Sequence, residues 1–278
     1  LNNQITIDSN IYLIFKYQKI SFIMPWNPEL YDQYKDIRYK PFYDLAALIQ
    51  PEHSMKAIDL GCGTGEQTSI LAEKLEGSVF LGIDSSPEML EKSKKYENEY
   101  LHFTLQTIEE AAASKQQWDL VFSNAALQWA DDHEKLFPEI IGLLKPSGQL
   151  AIQMPVQNEN VLNQILIQMA DEEPYASYLQ HFKRSSPVLS MDDYAQILFD
   201  NGIQDIDISQ KVYPIIADDH EALYTFISGT ALLPYLERLN EEQKEIFITE
   251  FKARIAGRFQ KYPAIYAFKR ILIYGRKK

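Results

Sequence analysis

Two aspartates and a run of glycines stand where a small ligand could be gripped. In Ile58-Asp59-Leu60-Gly61-Cys62-Gly63-Thr64-Gly65 an acid precedes a glycine-rich turn, and a second acid, Asp84, closes the next apolar run. A strand, glycine loop and helix in that order let backbone N–H groups at the helix start face a ligand closely, because glycine has no side chain to block approach. An acid at the end of the second strand can take both hydroxyls of a ribose. The dinucleotide fingerprint G-x-G-x-x-G is not met, since the third glycine arrives one residue early and Glu66 holds the expected place. A pyrophosphate would also meet the charge of Asp59. Both points disfavour a nicotinamide-dependent oxidoreductase. A nucleoside with a ribose, no phosphate and positive charge suits the site, and S-adenosylmethionine, with its ammonium and sulfonium groups, has those properties.

The elements that must position these residues alternate regularly. A strand at 55–60 leads through the glycine loop into a helix with Ile70, Leu71 and Leu75 at helical spacing. A strand at 79–83 precedes the turn Asp84-Ser85-Ser86-Pro87 and a helix at 87–95, and a strand at 101–105 precedes a helix around Glu109. A strand at 119–123 is followed by a helix at 132–144, with Leu136, Phe137, Ile140, Ile141 and Leu144 on one face and Asp131 and Glu134 at capping-box spacing. Lys145-Pro146-Ser147-Gly148 stops that helix before a strand at 149–154. Five strands alternating with helices predict a doubly wound α/β sheet. Residues 156–202 read as helical, broken by Pro174 and Pro187; a strand at 203–216, a helical stretch at 219–259 and a strand at 267–274 follow, giving seven strands, mostly parallel. Upstream, 28–37 and 41–49 read as two helices, the first capped by Asn27. With no Gly/Ser/Pro linker and no internal repeat, 24–278 is expected to be one domain with helical cap insertions at about 156–202 and 217–262. Residues 1–23 read as an extension ahead of Met24.

Composition narrows the partners. Over 278 residues, 27 Lys plus Arg face 39 Asp plus Glu, a net charge of −12 that repels nucleic acid on average. A small anionic substrate needs a local cluster of cations. The single cysteine, Cys62, excludes a disulfide framework and a multi-thiolate metal site and fits a reducing cytoplasm. The most apolar stretch, 223–236, holds Gly229, Thr230 and Pro234 and falls short of a membrane span, while 11–24 is interrupted by Lys16, Gln18 and Lys19 and does not read as a signal peptide. His133 and His220 follow acidic helix starts and read as solvated caps, so no metal is expected. No G-x-S-x-G elbow supports a serine hydrolase.

The glycine string, together with Gly82-Ile83-Asp84-Ser85-Ser86-Pro87-Glu88-Met89-Leu90, resembles the class I S-adenosylmethionine-dependent methyltransferases, which have a Rossmann-like fold. Within them, Trp26-Asn27-Pro28-Glu29-Leu30-Tyr31, Ser123-Asn124-Ala125-Ala126-Leu127-Gln128-Trp129 and Gln153-Met154-Pro155 resemble the trans-aconitate 2-methyltransferase family. The resemblance implies that Asp59, Gly61, Cys62, Gly63 and Gly65 hold the methionine part of the cofactor and Asp84 its ribose. It places Ser85 and Met89 near ribose and adenine, Ile108 on the adenine, Asn124 and Ala125 near the sulfonium, and Trp129 in the pocket wall. The family often has an acid just before the position of Ile108; this chain has Thr107.

The same resemblance implies a small carboxylic acid as acceptor and a monomethyl ester as product. A carboxylate oxygen attacks a sulfonium methyl without a general base, so alignment and desolvation suffice and no catalytic acid or base is expected. Cations must position the anion, ideally guanidinium forks. Arg38, Lys40, Lys183, Arg184 and Arg270 are the candidates, and Arg270 interrupts an apolar strand where the family has an arginine. A second family arginine is replaced here by Leu233. Trp26 and Tyr31, with Tyr34, are expected as an aromatic lid that favours a sulfonium. Two alternatives stay open: a malonyl-acyl carrier protein O-methyltransferase, which has a segment similar to Leu127-Gln128-Trp129, and an S-adenosylmethionine-binding protein without catalysis.

Overall fold

Strands covered on both faces are built from near-continuous apolar runs, as in β1 (Lys56–Leu60), β2 (Val79–Asp84), β4 (Trp118–Asn124) and β5 (Leu144–Pro155). The computed structural model describes residues 35–278 apart from 185. The expectations for 1–23, for most of the helix at 28–37, and for Trp26, Tyr31 and Tyr34 lie outside the described residues. With β3 (Leu101–Leu105), β6 (Ile203–Ala217) and β7 (Ala264–Lys277), the strands form one seven-stranded sheet of order β3-β2-β1-β4-β5-β7-β6. The first five strands pair in parallel, and β7 runs antiparallel to both β5 and β6. The doubly wound, mostly parallel sheet read from the sequence is the one that forms. The order reverses between β1 and β4, which opens a crevice at the carboxyl ends of those strands.

Alternation along the strands divides the core. Ala57, Phe80, Leu120 and Phe122 face α1 (Lys35–Ala46) and α2 (Glu66–Lys74). Ile58, Leu60, Ile83 and Val121 face the side covered by α4 (Ile108–Ala112), α5 (His133–Gly142) and α8 (Met191–Asp200), while α3 (Pro87–Ser93) follows β2. A second core joins α6 (Val161–Asp171), α7 (Tyr175–Tyr178), α9 (His220–Ser228), α10 (Leu233–Leu236) and α11 (Glu241–Arg258) to Ile215, Tyr266 and Phe268. Of the helices at 156–202, α6 and α7 join this second core, and α8 packs on the sheet beside α5. No helix among the described residues is long and apolar enough to cross a membrane.

Several local expectations are corrected. Pro41, expected to open a new helix, lies inside α1, which runs on to Ala46. Its ring removes one backbone hydrogen bond, and burial of Phe42 and Leu45, with Phe42 edge-on to Phe122 at 6.0 Å, offsets that loss. The helical stretch at 219–259 is divided into three, with a break after Ser228 and a fresh cap at Asn240. Lys145 to Gly148 lie within β5, where Ser147 is left-handed at φ 65°. The capping box of Asp131 and Glu134 does not form: Asp132 caps α5 in a left-handed conformation, φ 55°, without a side-chain bond.

That turn drives His133 inward, against the expectation of a solvated cap. His133 is buried, its Nε2 2.9 Å from the Leu127 carbonyl oxygen and its Nδ1 2.6 Å from the Tyr194 hydroxyl. A carbonyl can only accept, so Nε2 carries the hydrogen and the Tyr194 O–H donates to Nδ1; the Tyr194 oxygen accepts the Leu189 N–H at 3.2 Å. Burial holds the His133 pKa below its ordinary 6.5. The unfolded chain therefore protonates first, so this group's contribution to stability is present above that pH and is lost as pH falls. NMR titration of the His133 ring is expected to give a value under 6.5, and Tyr194→Phe, which strands Nδ1, should cost about 1–3 kcal/mol in urea denaturation.

Candidate active site

The glycine loop is shaped by what passes over it. Gly61 has φ +81°, and a Cβ there would stand 2.2 Å from the Ala126 Cβ, so the segment leaving β4 crosses directly above the loop. The Gly61 and Cys62 N–H groups both donate to the Ile83 carbonyl, at 2.9 and 2.8 Å, tying the loop to the end of β2. Gly65, left-handed at φ 73°, caps α2.

The two acids differ in what surrounds them. Asp84, the last residue of β2, accepts the Gly63 N–H at Oδ2 and the Ser86 N–H at Oδ1, each at 2.9 Å. Each oxygen keeps a lone pair for a ligand. Asp59 is 3% exposed, and its Oδ2 accepts the Thr68 hydroxyl at 2.6 Å. Burial, with a smaller contribution from the charge of Asp84, pushes its carboxyl up to about 7 although Thr68 pulls it down. Thr68 was not read from the sequence; it lies on the turn of α2 that packs back on β1, a relation that only the fold creates. Burial and the two carboxylates hold the Cys62 thiol well above its usual range, which leaves it a neutral filler.

Around them, Ser85 is exposed and Met89, 39% exposed, lies in the first turn of α3 with its N–H donating to Ser86 Oγ at 3.3 Å. Ile108 opens α4, its Cδ1 3.9 Å from where a Gly61 Cβ would be. Thr107 accepts the Glu110 N–H at 3.2 Å while Glu110 accepts the Thr107 N–H at 3.0 Å. The position where the family often has an acid is a helix cap here. Asn124 ends β4 and donates to Gln67 Oε1 at 2.8 Å; Ala125 is left-handed, φ 57°, and its N–H donates to the Gln153 carbonyl at 2.9 Å. The structure thus gathers Asp59, Gly61, Cys62, Gly63, Gly65, Asp84, Asn124 and Ala125 at the carboxyl ends of β1, β2 and β4, with Ser85, Met89 and Ile108 following on.

Beside Asn124 and Ala125 opens a cavity of about 240 Å³, lined also by Gln67, Gln128, Trp129, Gln157, Tyr266 and Arg270. Tyr266, Phe268 and Arg270 share one face of β7 by strand alternation. The Arg270 Nη1 donates to Gln153 Oε1 at 2.8 Å, and its guanidinium carbon lies 4.7 Å from the Phe268 ring centre. Among the described residues, Asn124 Oδ1, Gln128 Oε1, Gln157 Oε1 and the Tyr266 hydroxyl are buried without a hydrogen-bond partner. Such atoms cost about 1–3 kcal/mol each when left unmatched, so their gathering marks a place for a polar ligand. Gln128, Gln157 and Tyr266 were not singled out in the sequence; the i, i+4 spacing of Tyr266 and Arg270 on an apolar strand is a signal for Tyr266 alone. Of the other cations, Lys40 is exposed, Lys183 pairs with Asp171, and the side chain of Arg38 lies outside the described residues. Leu233 is 44% exposed and does not line the cavity.

A family model described as a methyltransferase domain matches residues 51–220, which span this crevice. The chain belongs to the methyltransferase domain family. Among proteins similar to this methyltransferase are the trans-aconitate 2-methyltransferases of Deinococcus radiodurans, 38% identical over 91% of this chain and 99% of that protein, and of Variovorax paradoxus, 31% identical over 92% and 100%. Solved structures with the same fold include the YcgJ protein of Bacillus subtilis, with a TM-score of 0.59 and 16% identity over 86% of this chain and 99% of that one. Another is a phosphoethanolamine N-methyltransferase 2 of Haemonchus contortus in complex with S-adenosyl-L-methionine, with a TM-score of 0.52 and 18% identity over 86% and 52%.

The buried acid of this methyltransferase has a measurable signature. A carboxyl raised from 3.8 to about 7 contributes stability below the lower value and loses it as pH rises through the upper one. Asp59→Asn is therefore expected to raise the thermal midpoint of the ligand-free protein more at pH 8 than at pH 5. An equal change at both pH values, by calorimetry, would contradict the raised pKa.

Proposed function

We propose that this methyltransferase moves the methyl group of S-adenosyl-L-methionine onto a carboxylate of a small polycarboxylic acid of the trans-aconitate kind, giving a monomethyl ester. The observation that carries the reading is a guanidinium, Arg270, in a polar cavity that begins at Asn124 and Ala125, next to a crevice whose charged side chains are acids. One compartment suits a cationic nucleoside and the other an anion. The names of the similar proteins support the same acceptor.

The residues present fit the cofactor. The loop has room at Gly61 for backbone only, Asp59 is a buried acid with no cation paired to it among the described residues, and the Asp84 oxygens keep lone pairs beyond their two N–H partners. Asp84 takes the ribose hydroxyls, Asp59 and the loop from Gly61 to Gly65 serve the amino-acid end, and Ile108, with Met89 and Ser85, serves the adenine. When bound, the cofactor supplies a methyl carbon on a cationic sulfur; the acceptor oxygen bonds to that carbon as the carbon–sulfur bond breaks, its electron pair stays on sulfur, and no proton moves. The protein's part is alignment: Arg270 fixes the anion, Trp129 walls the junction, and the partnerless oxygens of Gln128 and Gln157 accept from water or from a protonated carboxyl group.

Radiolabelled methyl transfer to a panel of di- and tricarboxylates tests this. The product label is expected to be released by alkali, as from an ester; label that survives base would replace ester formation with methylation at carbon or nitrogen. A requirement for a carrier-protein acceptor would favour the malonyl-acyl carrier protein chemistry. Asp84→Ala should weaken S-adenosylhomocysteine binding by about 1–3 kcal/mol in calorimetric titration, and unchanged affinity would remove Asp84 from the site.

A further inference from the structure

We infer that Arg184 is a second anion anchor of the acceptor site, so that the acceptor carries a carboxylate, distinct from the one methylated, which this guanidinium binds; the inference rests on the carboxylate reading above. Arg184 lies half-buried in the loop between α7 and α8 and is held from two sides. Its guanidinium carbon is 3.8 Å from the centre of the Trp129 ring, and its Nη2 donates to the Gln128 carbonyl at 3.1 Å. Its Nε is buried with no hydrogen-bond partner among the described residues. Among the described residues no carboxylate pairs with it, whereas the neighbouring Lys183 pairs with Asp171, and Arg254 pairs with both Glu172 and Glu250. The charge of Asp131 reaches it without forming an ion pair, and a partly desolvated cation with an unmatched donor is unfavourable by itself. An arriving anion relieves both defects.

The surroundings say where the anion would come from. Arg184 lines a small cavity with Gln157, Asn163, Ser186, Ala231 and Tyr235. Gln157, Asn163 and Ala231 also line the larger cavity that holds Arg270. The two spaces therefore share a wall, with one guanidinium on each side of it and the orphan Gln157 oxygen at the junction. Stacking on Trp129 leaves the in-plane donors of a guanidinium available, a geometry that a lysine ammonium does not reproduce. Leu233, where the resembling family has its arginine, lines neither space, so Arg184 supplies here the second positive charge that position 233 lacks. An acid with at least two carboxylates set apart on its carbon chain can lie in the cavity lined by Arg270 and reach Arg184 with its second carboxylate.

The test compares the intact enzyme's kcat/KM for a dicarboxylate or tricarboxylate with that for the same acid in which the distal carboxylate is a neutral amide. The wild type is expected to prefer the full acid by about 100-fold, the size of a lost desolvated charge pair. Arg184→Gln should reduce this preference to about fivefold, mainly through KM, and Arg184→Lys should leave an intermediate preference. Circular dichroism melting checks the fold of each variant, and if Arg184→Gln does not fold, Arg184→Lys carries the comparison. Retention of the wild-type preference by the folded variant would overturn the role of Arg184 while leaving ester formation intact. Failure of the wild type to methylate any carboxylate would instead remove the reading on which the inference rests.

Discussion

Asp84 joins two loops with one carboxylate. Its oxygens take an N–H from Gly63, in the turn after β1, and another from Ser86, at the start of α3. The Ile83 carbonyl, one residue earlier, takes two further N–H groups from Gly61 and Cys62. The carboxyl ends of β1 and β2 are thereby fixed to each other before any ligand arrives, and the close passage of Ala126 over Gly61 adds β4 to the same junction. Without those bonds the crevice would be a set of independent loops, and the lone pairs and acids that face it would have no common geometry.

Much of this was legible in the sequence because it is local. The apolar runs ending in Asp59 and Asp84, the glycines between them and the alternation of strands and helices are all set by short spacings, and the strands appear within a few residues of where those spacings put them. What was not legible depends on distant packing. Pro41 reads as a helix boundary until the ring of Phe42 is seen against Phe122. His133 reads as a surface cap until the left-handed turn at Asp132 swings it under Leu127. The polar cavity beside Asn124 is lined from α2, the turn after β4, the segment after β5, and β7, so no window of sequence contains its polar lining together. Cys62 lies buried within the glycine loop, its thiol held neutral by burial and the two carboxylates.

The two compartments answer opposite electrostatic needs within one acidic chain. Among the described residues Asp59 pairs with no cation, and burial shifts it toward its neutral form. Arg270 and Arg184 lean on aromatic rings and amide oxygens. Around Arg184, among the described residues, the ring and the carbonyl orient the guanidinium without an ion pair that would cancel its charge. A chain of net charge −12 can thus present a local positive field to a small anion.

The buried bond between His133 and Tyr194 reaches further than its place beneath the sheet suggests. Through Nε2 it holds the carbonyl of Leu127, two residues before Trp129, and through the Tyr194 oxygen it holds the N–H of Leu189, five residues after Arg184. The aromatic plate and the guanidinium lying on it come from segments far apart in the chain, yet both are moored to one imidazole. The stacked pair is consequently preorganised from below. Drift of α8 relative to α5 would stretch the bond between His133 and Tyr194, so that bond resists any separation of the plate from its cation.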